Sequence, residues 1–305
     1  MFAPPPVIET KVYADINAQH GITDHPSEWA GLLFGRPDTQ SFLEGPAFDL
    51  DGNLWLVDLA RGRLFRISPN GEVVAAAEYE GEPNGLVFHK DGYGLIADHY
   101  HGIMHLDPVS GKVTPYCVRH GNERFQGTND LTFASNGDLY FTDQGISDLI
   151  DPSGRVFCLR ADGQLDLICP KLPSPNGLVL NAEETVLFVG LTRDNSVWRM
   201  RLKDRGTPAD QVGRFVRMSG GTGPDGMAAD EAGNILVCHL GFGAIWVFGT
   251  TGEPLYRINS CKGPAITNCA YGGPDNRTLY ITESASSCVL TAEMPVPGRV
   301  LFSHM

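Results

Sequence analysis

One pattern recurs six times along this chain: a polar residue at the head of a short apolar strand, a tight turn, a second apolar strand, a loop and a third strand. The polar heads are Glu44, Asn84, Asn129, Asn176, Asp225 and Asn268, and successive heads lie 40, 45, 47, 49 and 43 residues apart. That period is the length of one four-stranded blade. One copy alone leaves apolar faces exposed, and an open stack of six leaves unpaired sheet edges, so the copies must close on themselves. The spacing therefore predicts an all-β fold, a six-bladed β-propeller with four-stranded antiparallel blades around a central channel. It forms a single domain over 1–305, with an irregular segment over about 17–40. The last copy shows three strands, and its fourth is expected from Lys11–Ile16 at the other end of the chain.

Local chemistry supports these strands. Leu54-Trp55-Leu56-Val57, Leu139-Tyr140-Phe141-Thr142 and Leu279-Tyr280-Ile281-Thr282 are aromatic and branched, and turn residues bound them. Asp51-Gly52, Asp91-Gly92 and Asn136-Gly137 supply the tight turns. The 36 glycines and 21 prolines suit a chain of many short strands. The helical runs that a parallel βα fold needs between its strands are missing.

In such a ring the first strand of each blade lines the channel, so the six heads converge on its mouth. Together they offer one Glu, one Asp and four Asn. All present oxygen, and none presents the thiolate or imidazole that zinc usually recruits. Two carboxylates with neutral amide carbonyls suit one hard divalent cation, calcium first, with magnesium, manganese or zinc as alternatives. Asn84-Gly85 and Asn176-Gly177 also read as common turn pairs. The loops after the second strands bring a wider ring to the same face: Asp58, His99, His101, Asp143, Gln144, Arg193, His239 and Glu283. Asp143 and His239 follow directly on a strand and are the strongest of these as substrate contacts.

The formal charge of −13 sets the chain against nucleic acid as a partner. The longest apolar runs fall short of a membrane span, and the start, MFAPPPVIET, does not read as a signal peptide. Seven cysteines, an odd number without a CxxC pair, read as free thiols and point to the cytoplasm. No GxSxG elbow, HExxH or P-loop is present.

In combination, several motifs resemble the senescence-marker-protein/gluconolactonase family of calcium-dependent propellers, whose relatives include diisopropylfluorophosphatase and drug-responsive lactonases. They are Glu44-Gly45-Pro46, Gly127-Thr128-Asn129-Asp130, Ser174-Pro175-Asn176-Gly177, Pro224-Asp225-Gly226 and Asn268-Cys269-Ala270-Tyr271-Gly272-Gly273. The resemblance implies that Glu44, Asn129, Asn176 and Asp225 bind the metal and that Asp225 is also the catalytic base or nucleophile. It leaves Asn84 and Asn268 as channel lining or substrate contacts, while His99, Asp143 and His239 stand as candidate substrate contacts from the wider ring. Gln126-Gly127 is similar to the phosphotriesterase branch, where sugar lactonases place an arginine. The expected activity is metal-dependent opening of a small lactone or ester. The alternatives are a phosphotriesterase-like hydrolase, a binding module with a structural metal, and a condensing enzyme like the strictosidine-synthase relatives.

Overall fold

The computed structural model describes residues 3–20, 26–203 and 208–305. Six sheets stand around one axis, each built on four antiparallel strands that run in chain order from the axis outward, except that the outermost strand of the last comes from the start of the chain. The innermost strands are Leu43–Phe48, Pro83–Phe88, Thr128–Phe133, Pro175–Leu180, Gly223–Ala229 and Ile266–Gly272, in blades I to VI. The second strands are Leu54–Asp58, Gly94–Asp98, Leu139–Asp143, Val186–Leu191, Ile235–Leu240 and Thr278–Glu283.

The apolar residues that alternate along these strands meet between blades. Trp55 and Ile96 pack between blades I and II, Phe141 and Leu95 between II and III, and Val189 and Val156 between III and IV. Similar cores fill the remaining three gaps. Every blade thus depends on both neighbours, and truncating a wholly buried side chain such as Phe141 to Ala costs about 3–5 kcal/mol.

The ring closes as the sequence predicts. Lys11–Asp15 pairs antiparallel with the third strand of blade VI, matching Lys11 to Thr291 and Asp15 to Cys288. Ser284 Oγ and Thr267 Oγ1 of blade VI both donate to Leu43 O of blade I, at 2.7 and 2.8 Å. Val7–Glu9 adds a fifth, parallel strand to blade V, which the repeat did not foretell.

The stretch expected to be irregular holds two short helices, Ile16–His20 and Glu28–Phe34. The second has proper caps: Ser27 Oγ accepts from Ala30 N at 3.2 Å, and Gly35 ends the helix at φ 64°. Among the described residues no helix is long and apolar enough to cross a membrane.

Past blade VI the chain crosses the lower end of the channel. Gly298 bridges to Asp230, and Arg299 bonds Leu180 O, Asn181 O and Glu184. Phe302 packs on His89 and Phe133. Above this strap lies a mainly apolar chamber of about 720 Å³, lined by Phe48, Phe88, Phe133 and Leu180 and floored by Phe302 and Met305.

Candidate functional site

All six polar heads lie at breaks in strand register. Pairing between each innermost strand and its neighbour shifts at Glu44/Ala47, Pro83/Gly85, Thr128/Leu131, Pro175/Leu178, Pro224/Met227 and Ile266/Cys269. A bulge re-aims the side chain it carries, and here one sits under each head. The glycines after the heads are explained by crowding at the axis and not by turns. A Cβ on Gly177 would stand 2.3 Å from Asp225 O, and one on Gly226 would stand 2.1 Å from Asn268 Cγ.

The six heads, Glu44, Asn84, Asn129, Asn176, Asp225 and Asn268, are all 7% exposed or less. Gly45 N donates to Glu44 Oε2 at 3.1 Å. Burial pushes the Glu44 carboxyl well above its ordinary range, and the charges of Asp225 and Asp130 push it further. Burial also raises Asp225; a hydrogen bond from Asn176 opposes this, and the Asp130 charge adds to it. Asp130 itself is raised to about 7, again by burial first. Among the described residues no Lys, Arg or His forms an ion pair with any of the three.

Asn129 shows what this centre lacks. Its Nδ2 donates to Gln144 Oε1 at 2.9 Å, and Gln144 Nε2 in turn donates to Ser174 Oγ at 2.9 Å. With the amide nitrogen tied down in this way, Asn129 Oδ1 is buried without a partner. Asn176 Nδ2 lies 3.3 Å from Thr192 Oγ1. An orphaned amide oxygen beside buried carboxylates without a counter-charge is the donor set a hard cation satisfies. Among the described residues no three His, Cys, Asp or Glu side chains cluster as a metal site.

The wider ring is built differently. Asp143 Oδ1 accepts from Gln126 N and Gly127 N at 2.7 and 2.8 Å, and its Oδ2 accepts from Arg155 Nε and Nη2 at 2.9 and 2.6 Å. Asp58 repeats the device with Phe42 N and Arg63, and Glu283 with Ala265 N and Ser286 N. His239 Nδ1 accepts from Trp246 Nε1 at 3.2 Å, so its Nε2 carries the hydrogen and donates to Gly220 O at 2.9 Å. Each of these groups ties down the loop that leads into an innermost strand. Asp143 and His239, taken from sequence as substrate contacts, thus have both polar atoms engaged inside the protein. His99 is different: it is partly exposed, and its ring rests against Gly127. Sequence reasoning passed over Asp130 and Thr192. Neither is a polar head, and only the closeness of neighbouring strands brings them to the site.

The signature described as SMP-30/Gluconolactonase/LRE-like region matches residues 42–285. The chain belongs to that family. It is 30% identical to the gluconolactonase of Zymomonas mobilis over 272 residues, which cover 79% of this chain and 76% of that protein. It is 29% identical to a lactonase of Staphylococcus aureus over 235 residues, 71% of this chain and 69% of the relative. Among solved structures, a calcium-binding regucalcin of Agrobacterium tumefaciens superposes over all of both chains with a TM-score of 0.80 at 20% identity. At that identity the likeness concerns the fold alone. The free state of all seven cysteines agrees with the sequence reading.

Proposed function

We propose that this member of the family is a divalent-metal-dependent lactonase. The observation that carries this reading is the centre itself: two buried carboxylates without a cationic partner beside an amide oxygen with no partner at all. The relatives named gluconolactonase and lactonase support the choice of a lactone as substrate. Glu44, Asn129, Asn176 and Asp225 would hold the cation, calcium by preference because every donor is a hard oxygen. Such an ion would supply Lewis-acid polarisation of a carbonyl.

The chain's own part in the chemistry follows from its residues. Asp225 takes a proton from water. The water oxygen bonds to the lactone carbonyl carbon, the ring C–O bond breaks, and the proton that Asp225 took passes to the ring oxygen, giving a hydroxy acid and restoring the Asp225 carboxylate. Gln144 holds the Asn129 amide nitrogen and so leaves its oxygen free for the cation, and Thr192 accepts from the Asn176 amide. Asn84 and Asn268 complete the wall of the mouth, and His99 is the substrate contact that the wider ring leaves available.

The test is turnover on aliphatic lactones, aldonolactones, aryl esters and phosphotriesters, with calcium and after chelation. Calcium-dependent opening of a lactone is the expected result. Turnover confined to phosphotriesters would favour the phosphotriesterase reading. No turnover, together with calcium-dependent folding, would favour a binding module.

A further inference from the structure

Among the described residues, the wider ring offers few hydrogen-bonding groups to a substrate. Asp58, Asp143 and Glu283 bind backbone N–H groups, and Gln144 joins Asn129 to Ser174. His101 Nε2 is bound to Glu80 O at 2.7 Å, and both ring nitrogens of His239 are engaged. His99 and Arg193 remain. A polyhydroxylated lactone would exchange water for a wall that answers few of its hydroxyls, at a cost for each one left unpaired.

The same face presents apolar side chains instead. The loop that leaves the second strand of blade III starts at Gln144, beside the centre. Gln144 N and Gly145 N donate to Gly127 O at 2.8 and 3.1 Å, and Ser147 Oγ accepts from Ser174 N at 3.0 Å. Gly127 and Ser174 each lie two residues before a polar head, Asn129 and Asn176, so the loop straddles the entries to both. The next turn is pinned: Asp148 Oδ1 accepts from Ile150 N and Asp151 N at 2.7 and 2.8 Å. On this fixed backbone Ile146, Leu149 and Ile150 stand 86, 64 and 94% exposed. On the blade V side Phe242, also exposed, stacks on His239 with ring centroids 4.8 Å apart.

We infer that Ile146, Leu149 and Ile150 form a specificity wall that receives an apolar substituent of the substrate, so that this enzyme favours lactones bearing an alkyl group over sugar lactones. This rests on the lactonase reading. Ile146 is two residues from Gln144, whose side chain bonds the Asn129 amide. Two residues span at most about 7 Å, a reach that a short alkyl chain on the lactone ring covers. A protein partner would need about 800 Å² on its side, more than three side chains on one turn present.

The experiment measures kcat/KM of calcium-loaded protein on three lactones of one ring size: δ-valerolactone, δ-decalactone with its pentyl substituent, and glucono-δ-lactone. Wild type is expected to favour the pentyl lactone over the bare ring by about tenfold or more, since each buried methylene contributes up to about fourfold, and to turn over the sugar lactone least. In Ile146→Ser/Leu149→Ser/Ile150→Ser that ratio should fall towards one, chiefly through KM on the pentyl lactone, with calcium content and melting temperature held. Because the readout is a ratio, a general loss of activity does not imitate it. A wild type that prefers the sugar lactone overturns the proposal, and so does a variant that keeps the wild-type ratio. Phosphatidylcholine vesicles that bind wild type but not such a variant would assign the turn to a lipid surface instead. A wild type that opens none of the three lactones overturns the lactonase reading itself, an outcome distinct from a lost preference.

Discussion

Two rings of polar residues share one face of this propeller, and they obey opposite rules. In the wider ring every buried charge has its answer: Asp143 meets Arg155 and two backbone N–H groups, and Asp58 meets Arg63 and Phe42 N. In the inner ring Glu44, Asp225 and Asp130 are buried together without a positive partner, and Asn129 Oδ1 has no partner at all. A buried charge that is fully paired contributes position, whereas one left unpaired costs several kcal/mol unless something outside the chain completes it. The contrast separates the residues that build the mouth from those that use it.

The sharpest way to break the contrast is to exchange the consequences of mutation. Asp225→Asn should lose about 10²–10⁴-fold in turnover, while Asn84→Ala and Asn268→Ala lose far less and all three stay folded. Turnover, metal content and melting temperature on the three variants decide it. Near-normal turnover in metal-loaded Asp225→Asn would remove Asp225 as the proton acceptor. Asp143→Ala should act on stability instead. It strands Arg155 and two N–H groups, at an expected cost of about 3–5 kcal/mol in urea unfolding. A variant of unchanged stability that has lost activity would place Asp143 in the chemistry.

Metal linkage sharpens the same comparison. Calcium at 100 times its Kd should add about 2.7 kcal/mol to unfolding, read as a rise in melting temperature that chelation reverses. Asn129→Leu should remove most of that rise, whereas a wider-ring variant should keep it. If chelation unfolds the protein at room temperature, the ion is a staple and the inner ring is structural too. The smallest effect is expected at His239. Its replacement by Leu should cost about 0.5–1.5 kcal/mol for each hydrogen bond lost, with turnover nearly unchanged once unfolding is allowed for.

Blade number and closure were legible because the polar heads recur at a fixed spacing and because Lys11–Asp15 supplies the strand that the last copy lacks. The inner ring was legible for the same reason, since each head occupies the same place in its copy. The register breaks under those heads were not, for a bulge depends on the partner strand as much as on its own residues. Nor could sequence separate His239 from His99. The difference lies in Trp246 and Gly220 on one side and Gly127 on the other, neighbours set by the fold. The strand Val7–Glu9 pairs with residues some 250 positions away, and no local pattern marks it.

Closure by the first strand has a consequence in time. Lys11 and Thr291, which face each other in blade VI, are separated by 280 positions. At about 5–20 residues per second of synthesis, the partner arrives roughly 15–60 s after Lys11 is made. Through that interval the early blades have emerged from the ribosome while Ala14 and Ile16 still await Val289, the side chain that completes their core. A nascent chain stalled before residue 288 therefore carries an unlatched edge at blade I, and chaperone contact should concentrate there until the latch is made.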